Sequence, residues 1–419
     1  MKAFRILGGK TLSGELEVST AKNSLLPLLA CSIMCDEQVI LKKCTKFTDV
    51  MNMIEILESL GVTSNFNGDD VILNTSKADK SYISEEYTKR VRSSIFMLGP
   101  LLARFKKAKV AYPGGCNIGT RPIDLHLKGL RELNVKISER HGYIICDGSN
   151  MKANALHLDF PSVGATENLM MVCAKLEGES KIHNVAREPE IVDLQNFLNS
   201  MGAKVSGAGT STITIVGTDK LHSTEYRPIG DRIIAGTYMI AVAMTGGKVT
   251  LSNVVYEHNM ALINKLRECG CKIKQLSGGI VEVQMNKRPK SMGKVETQPY
   301  PGFPTDLQSQ ILTLHTIANG TAVIVENLFE TRFKIYTELV KMGADITVRD
   351  RMAMVNGVRR IYGASVVTPD LRGGSSLVLA GLVAEGYTTV SDIEMIDRGY
   401  YHIEEDLSRL GADIKRIEI

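Results

Sequence analysis

Six times along the chain, a stretch with apolar residues at helical spacing runs into an apolar-Gly-small stop and then into a short extended segment. The six are IEILESLGVTS (54–64), LKGLRELNVKI (127–137), LQNFLNSMGAKV (194–205), LINKLRECGCKI (262–273), YTELVKMGADI (336–346) and IEEDLSRLGADI (403–414). Each predicts an amphipathic helix ended by a left-handed residue, at Gly61, Asn134, Gly202, Gly270, Gly343 and Gly411. Asn134 obeys the same rule, because asparagine is the usual substitute for glycine at such a position. The stops are 73, 68, 68, 73 and 68 residues apart, and each stop of the first half recurs 209 residues later. Two domains of three repeats each is the simplest organisation.

A second, more apolar helix is predicted upstream of each stop. These are NSLLPLLACSIMC (23–35), RSSIFMLGPLLARF (92–105), GATENLMMVCAKLEG (164–178), DRIIAGTYMIAVAMTGG (231–247), TDLQSQILTLHTIANG (305–320) and LRGGSSLVLAGLVAEG (371–386). A helix apolar on nearly all sides belongs in the interior. Alternating segments such as TITIV (212–216) and IVEVQ (280–284) supply strands, so the expected class is α/β, built from six βαβαββ-type repeats. Repeat six ends after DIKRIEI, without its closing strands, and FRILGGKTLSGELEVST (4–20) resembles the missing piece. The expected domains are therefore 21–229, and 1–20 with 230–419.

Composition narrows the function classes. Of 419 residues, 44% are hydrophobic and 23% charged, the profile of a soluble globular protein. A net charge of +4 gives no global field for nucleic acid, so any anion must be held by locally grouped charges. No apolar run is long enough to span a bilayer, MKAFRILGGKTLSG lacks the apolar core of a signal peptide, and a cytoplasmic location is expected. The eight cysteines form no CxxC pair and the eight histidines no ligand spacing; neither a metal nor a cofactor is expected.

Chemistry concentrates in Pro113-Gly114-Gly115-Cys116 and the following Arg121-Pro122-Ile123-Asp124-Leu125-His126. A thiol in a glycine-rich loop, near a guanidinium and a helix start, has its pKa lowered from the reference of about 8.5. Cys116 is therefore a candidate acid or nucleophile. The repeat register sorts the other charges. Arg121 and Arg398 each lie 13 residues before a stop, in equivalent loops of the two halves. Lys22, Arg92, Gly164, Arg232, Asp306 and Arg372 all fall 37 to 42 residues before theirs, at the N-termini of the six apolar helices. Helix N-termini with grouped guanidiniums suit a phosphate- and carboxylate-bearing ligand. Asp306 is the carboxylate in this register, a helix cap by the plain reading and a base for a substrate hydroxyl by the functional one.

These motifs carry a resemblance to a known family. Ala21-Lys22-Asn23, Val91-Arg92-Ser93-Ser94, the Cys116 loop through His126, Ser162-Val163-Gly164-Ala165-Thr166, Ala186-Arg187-Glu188-Pro189-Glu190, Phe303-Pro304-Thr305-Asp306, Asp370-Leu371-Arg372 and Ile396-Asp397-Arg398-Gly399-Tyr400 are similar to motifs of the enolpyruvyl transferases. The resemblance covers the whole length. It implies two inside-out α/β barrels of three repeats that close over a cleft, and transfer of the enolpyruvyl group of phosphoenolpyruvate to the 3-hydroxyl of UDP-N-acetylglucosamine. It also implies roles. Cys116 becomes the acid and the covalent target of the inhibitor fosfomycin, and Asp306 the base. Lys22, Asn23, Cys116, Arg121 and Arg398 bind phosphoenolpyruvate. Asn23, Arg92, Arg121, Pro122, Ile123, Asp124, Leu125, Ser162, Val163, Gly164, Asp306 and Leu328 bind the sugar nucleotide. Arg232, Arg332, Asp370 and Arg372 support the site, with Arg332 and Arg372 assisting closure. Neither nucleic acid nor membrane insertion is implied.

The chain departs from the family pattern at Ile234, Phe160, Ile335 and Gly373-Gly374, none of them assigned to the chemistry. Two other readings use the same residues: a catalytically weak paralogue that binds UDP-N-acetylglucosamine, and the sister transfer to shikimate 3-phosphate.

Overall fold

The computed structural model describes residues 2–114 and 123–419. Among these it is mixed α/β, with six four-stranded sheets of one topology. In each, an edge strand pairs parallel with a second strand, which pairs antiparallel with a third, and the third antiparallel with a fourth. Ala155–His157, Glu179–His183, Thr212–Val216 and Lys204–Ser206 form one such sheet, in that spatial order. Along Thr212–Val216 burial alternates, so one face is turned to the interior.

The described residues fall into two compact units, one of 20–114 with 123–229, the other of 2–19 with 230–419. The N-terminal segment completes the second unit. Lys2–Leu7 lies between Tyr387–Ser391 and Asp413–Glu418, antiparallel to both, as the third strand of its sheet. Leu12–Glu17 then supplies the parallel edge beside Gly247–Ser252. In the first unit Thr224–Tyr226 does the same for Gln38–Leu41.

The six predicted stops are all left-handed, with φ from 67° at Asn134 to 103° at Gly270. After each, the next amide reaches back to a leucine carbonyl five residues earlier. The acceptors are Leu57, Leu130, Leu198, Leu266, Leu339 and Leu407, at 3.0 to 3.2 Å. One residue pattern thus builds one helix end six times.

The apolar helices are interior, as their composition requires. In Arg232–Thr245 every residue from Ile233 to Met244 is buried. Leu371–Val383 buries Leu377, Leu379 and Leu382, each contributing roughly 1.5–3 kcal/mol by leaving water. Two of these helices open differently from the periodic pattern. Arg92–Met97 and Thr305–Leu307 are 3₁₀ turns that lead into Leu98–Phe105 and Gln308–Ile317. Pro100 explains the first: it has no N–H for the Phe96 carbonyl, so a regular ladder starts only after that point. Lys22–Ser32 carries Pro27 inside it, which likewise has no N–H to offer the Asn23 carbonyl.

Candidate active site

In the second unit a carboxylate clamp forms around Asp306. Pro304 caps the turn Thr305–Leu307, which sets Asp306 at the head of the buried helix Gln308–Ile317. Asp306 Oδ1 accepts from Arg332 Nη2 at 2.5 Å, and Oδ2 from Arg372 Nη2 at 2.9 Å. The side chains of Arg332 and Arg372 are 2% and 4% exposed, while that of Asp306 is 26% exposed. Two buried guanidiniums therefore hold a carboxylate that still presents a face to solvent. Burial alone would push the Arg372 guanidinium down, but Asp306, Tyr400 and Asp231 hold it above its ordinary range.

Each arginine is itself fixed. Arg372 is the second residue of Leu371–Val383, whose cap Asp370 accepts from the amides of Arg372 and Gly373. Arg332 Nε donates to Thr305 Oγ1 at 3.3 Å, and Thr305 Oγ1 donates to Glu326 Oε2 at 2.8 Å. The other Glu326 oxygen accepts from the amides of Leu328 and Phe329 at 2.7 and 3.0 Å. A fully buried Glu326 thus ties the turn carrying Leu328 to the residue beside Asp306. Arg232 opens its helix after the cap Asp231 and lies 5.6 Å over the Tyr300 ring. Arg398 is half-buried, just after Glu394–Asp397.

In the first unit Lys22 is the first residue of its helix, and its Nζ lies 3.0 Å from Asp49 Oδ2. Asn23 follows it, half-buried. Arg92 opens the 3₁₀ turn, Asp124 opens Asp124–Glu132 after Ile123, and Leu125 is half-buried beside them. Ser162 caps Val163–Cys173 by accepting from the Ala165 amide. Gly164 sits tightly there: a Cβ on it would come within 3.1 Å of both His126 and Phe96. The structure therefore brings the helix carrying Ser162–Gly164 against the helix carrying Ile123–Leu125. It places Lys22 and Asn23 in a different unit from Asp306, Leu328 and Arg398. The assignments to Cys116, Arg121 and Pro122 lie outside the described residues.

Between those helices a buried amide fixes a histidine. Asn168 Oδ1 accepts from the Gly99 amide at 2.7 Å, which turns its Nδ2 toward the Ile95 carbonyl and His126 Nδ1. His126 Nδ1 must accept, so the ring is neutral with its proton on Nε2. Burial, aided by Arg92, pushes its pKa down from 6.5 to about 4. The unfolded chain then binds the extra proton, so stability is full above pH 6.5 and is lost as pH falls toward about 4. Across that window the loss is roughly 3 kcal/mol. A urea midpoint that declines from pH 7 to pH 4.5 is expected, with a shallower decline in His126→Gln. Parallel profiles for parent and variant would count against this assignment.

Of the departures, Ile234 and Ile335 are buried and Phe160 is exposed. Gly373 and Gly374 allow close approach: a Cβ on Gly374 would lie 2.4 Å from Thr368 and 2.7 Å from Ile396. The polar partners Asp49, Asn168, Glu326 and Tyr400 carried no assignment from sequence. Asn168 has a partial signal, as the last of three polar residues (Thr166, Glu167, Asn168) at the start of an otherwise apolar helix; the others are set only by tertiary contact. Seven cysteines are described, all free and buried. Burial raises their thiols, for example to about 12 at Cys44 and Cys173 and to about 11 at Cys269. Among the described residues no group of three or more His, Cys, Asp or Glu could hold a metal ion, and no helix is long and apolar enough to cross a membrane.

Comparison with known proteins places this arrangement. The family model for EPSP synthase (3-phosphoshikimate 1-carboxyvinyltransferase) matches residues 6–407. UDP-N-acetylglucosamine 1-carboxyvinyltransferase 2 of Caldanaerobacter subterraneus subsp. tengcongensis is 52% identical over 417 residues, with 100% of both chains covered. UDP-N-acetylglucosamine 1-carboxyvinyltransferase 1 of Symbiobacterium thermophilum is 47% identical over 420 residues, covering 99% of this chain and 95% of its own. Among solved structures, the enolpyruvyl transferase NikO from Streptomyces tendae superposes with a TM-score of 0.88 over 99% of this chain and 98% of its own, at 21% identity, which speaks to fold alone. With a family match across almost its entire length and relatives near half identity, the chain belongs to the enolpyruvyl transferase family, alongside the UDP-N-acetylglucosamine 1-carboxyvinyltransferases.

Proposed function

We propose that the chain transfers the enolpyruvyl group of phosphoenolpyruvate to the 3-hydroxyl of UDP-N-acetylglucosamine, releasing phosphate. This is the first committed step of peptidoglycan precursor synthesis. The observation that carries the reading is 52% identity along the full length to a relative of that name. The clamp on Asp306 supports it from the structure, since the reaction needs a fixed, ionised acceptor for a hydroxyl proton.

The chemistry is addition followed by elimination. Cys116 protonates the methylene carbon of phosphoenolpyruvate, which leaves C2 electrophilic. Asp306 takes the proton of the sugar hydroxyl as its oxygen attacks C2, and a tetrahedral ketal forms. The Cys116 thiolate then takes back a methyl proton as phosphate leaves, which regenerates the double bond, and the proton held by Asp306 leaves with the phosphate or to water. Lys22, Asn23, Arg121 and Arg398 hold phosphoenolpyruvate, their charges opposing its phosphate and carboxylate. Asn23, Arg92, Arg121 through Leu125, Ser162 through Gly164 and Leu328 line the sugar-nucleotide position. Arg332 and Arg372 keep Asp306 in place, with Asp370 and Arg232 behind them. The six sheets of one topology support two inside-out α/β barrels, residues 21–229 and 1–20 with 230–419. Both substrates are multiply charged and stay where they are made, which fits a cytoplasmic enzyme.

The deciding assay is phosphate release from phosphoenolpyruvate with each acceptor, with and without fosfomycin. Turnover with UDP-N-acetylglucosamine that fosfomycin abolishes is expected. Release only with shikimate 3-phosphate, or binding of the sugar nucleotide without turnover, overturns the proposal.

A further inference from the structure

Behind Arg372 lies a buried hydroxyl network whose protons have one consistent arrangement. Thr237 Oγ1 donates to the Ile233 carbonyl at 2.9 Å, which uses its only hydrogen. Its contact with the Tyr400 hydroxyl, at 2.8 Å, must then have Tyr400 as donor. That leaves the Tyr400 oxygen as an acceptor, and two donors reach it: Gln310 Nε2 at 3.3 Å and Arg372 Nη1 at 3.4 Å. Gln310 Nε2 also donates to Thr237 Oγ1 at 3.2 Å, so the amide braces both hydroxyls. Thr237 and Gln310 are fully buried and Tyr400 is 1% exposed, so water does not compete for these sites.

The consequence falls on Arg372. Its guanidinium is gripped from two sides, Nη1 by Tyr400 and Nη2 by Asp306 Oδ2. The ring of Tyr400 also lies 5.6 Å from the guanidinium carbon. We propose that Tyr400 is a positioning residue for the transfer reaction: oriented by Thr237 and Gln310, its hydroxyl holds the Arg372 guanidinium in register with Asp306. The inference rests on Asp306 acting as the base. Tyr400 touches no substrate; it acts through Arg372. Its chain origin explains its reach, because Tyr400 follows the turn that carries Arg398 while Thr237 and Gln310 come from two other buried helices.

The test separates positioning from folding. Tyr400→Phe keeps the ring and removes only the hydroxyl. Its kcat is expected to fall about tenfold, with KM for both substrates within about twofold, because the hydroxyl holds the guanidinium that places the base, and the base acts in the transition state. Thr237→Val, which removes the acceptor for the Tyr400 proton, is expected to lower kcat in the same way, and Thr237→Ser to restore it. In an Asp306→Asn background, Tyr400→Phe should give no further loss, since the two act in series. If Asp306→Asn is inactive while Tyr400→Phe keeps the parent kcat, the positioning role is overturned. If Asp306→Asn itself turns over normally, it is the base assignment that fails.

Discussion

Asp306→Asn should lower kcat by about 10²- to 10⁴-fold, the range for removing a placed general base. The side chain keeps its size and one acceptor oxygen, so substrate geometry is preserved while the ability to take a proton is lost. A second effect follows from the clamp. Arg332 and Arg372 are almost fully buried, and both point their Nη2 at this one carboxylate. Without its charge, two guanidiniums are left in a poorly solvated site with weaker compensation. Because the carboxylate is partly exposed, the penalty stays below that of a fully buried pair, at about 2 kcal/mol. The expected signature is thus a severe loss of kcat with a modest fall in the urea midpoint. A variant that folds normally and keeps turnover within tenfold of the parent would sink the assignment of Asp306 as base.

The six helix stops were legible because each is a local instruction. A glycine or asparagine placed directly after the last apolar residue ends each of these helices, and the 209-residue recurrence made the repeats visible. The positions of Lys22, Arg92, Arg232, Asp306 and Arg372 at the starts of buried helices or of the 3₁₀ turns that lead into them were legible for the same reason. The pairings between them were not. Arg332 and Arg372 reach Asp306 across 26 and 66 residues of chain, and Gln310 reaches Tyr400 across 90. Periodicity assigns a residue to a face but cannot choose its partner on another element. Glu326 shows the cost of that gap. It reads as one acidic residue after a strand, yet it organises the Leu328 turn and the residues beside Asp306. The 3₁₀ opening at Arg92–Met97 is not legible either, because it depends on which carbonyl Pro100 leaves without a donor and not on apolar spacing.

Cys116→Ser should remove most of the turnover and all labelling by fosfomycin, and the second effect rests on the rest of the chain. The parent has eight cysteines, and the seven that are described are all buried. Burial holds their thiols high, as at Cys31 and Cys35, and in the protonated form they are poor nucleophiles. Intact-mass measurement of the folded parent with fosfomycin should therefore show a single adduct, and Cys116→Ser none. The same reasoning predicts one fast equivalent in a thiol titration of the native parent, with the remainder appearing only on unfolding. Turnover should fall by about 10²- to 10⁴-fold, because a serine hydroxyl is too weak an acid to protonate a carbon in place of the thiol. The labelling rate should rise with pH as the thiolate forms, with a midpoint below about 8.5. An adduct that persists in Cys116→Ser would move the reactive thiol elsewhere and remove the acid from the proposed mechanism. A midpoint above that value would leave the thiol without the lowering that Arg121 and the following helix are expected to provide.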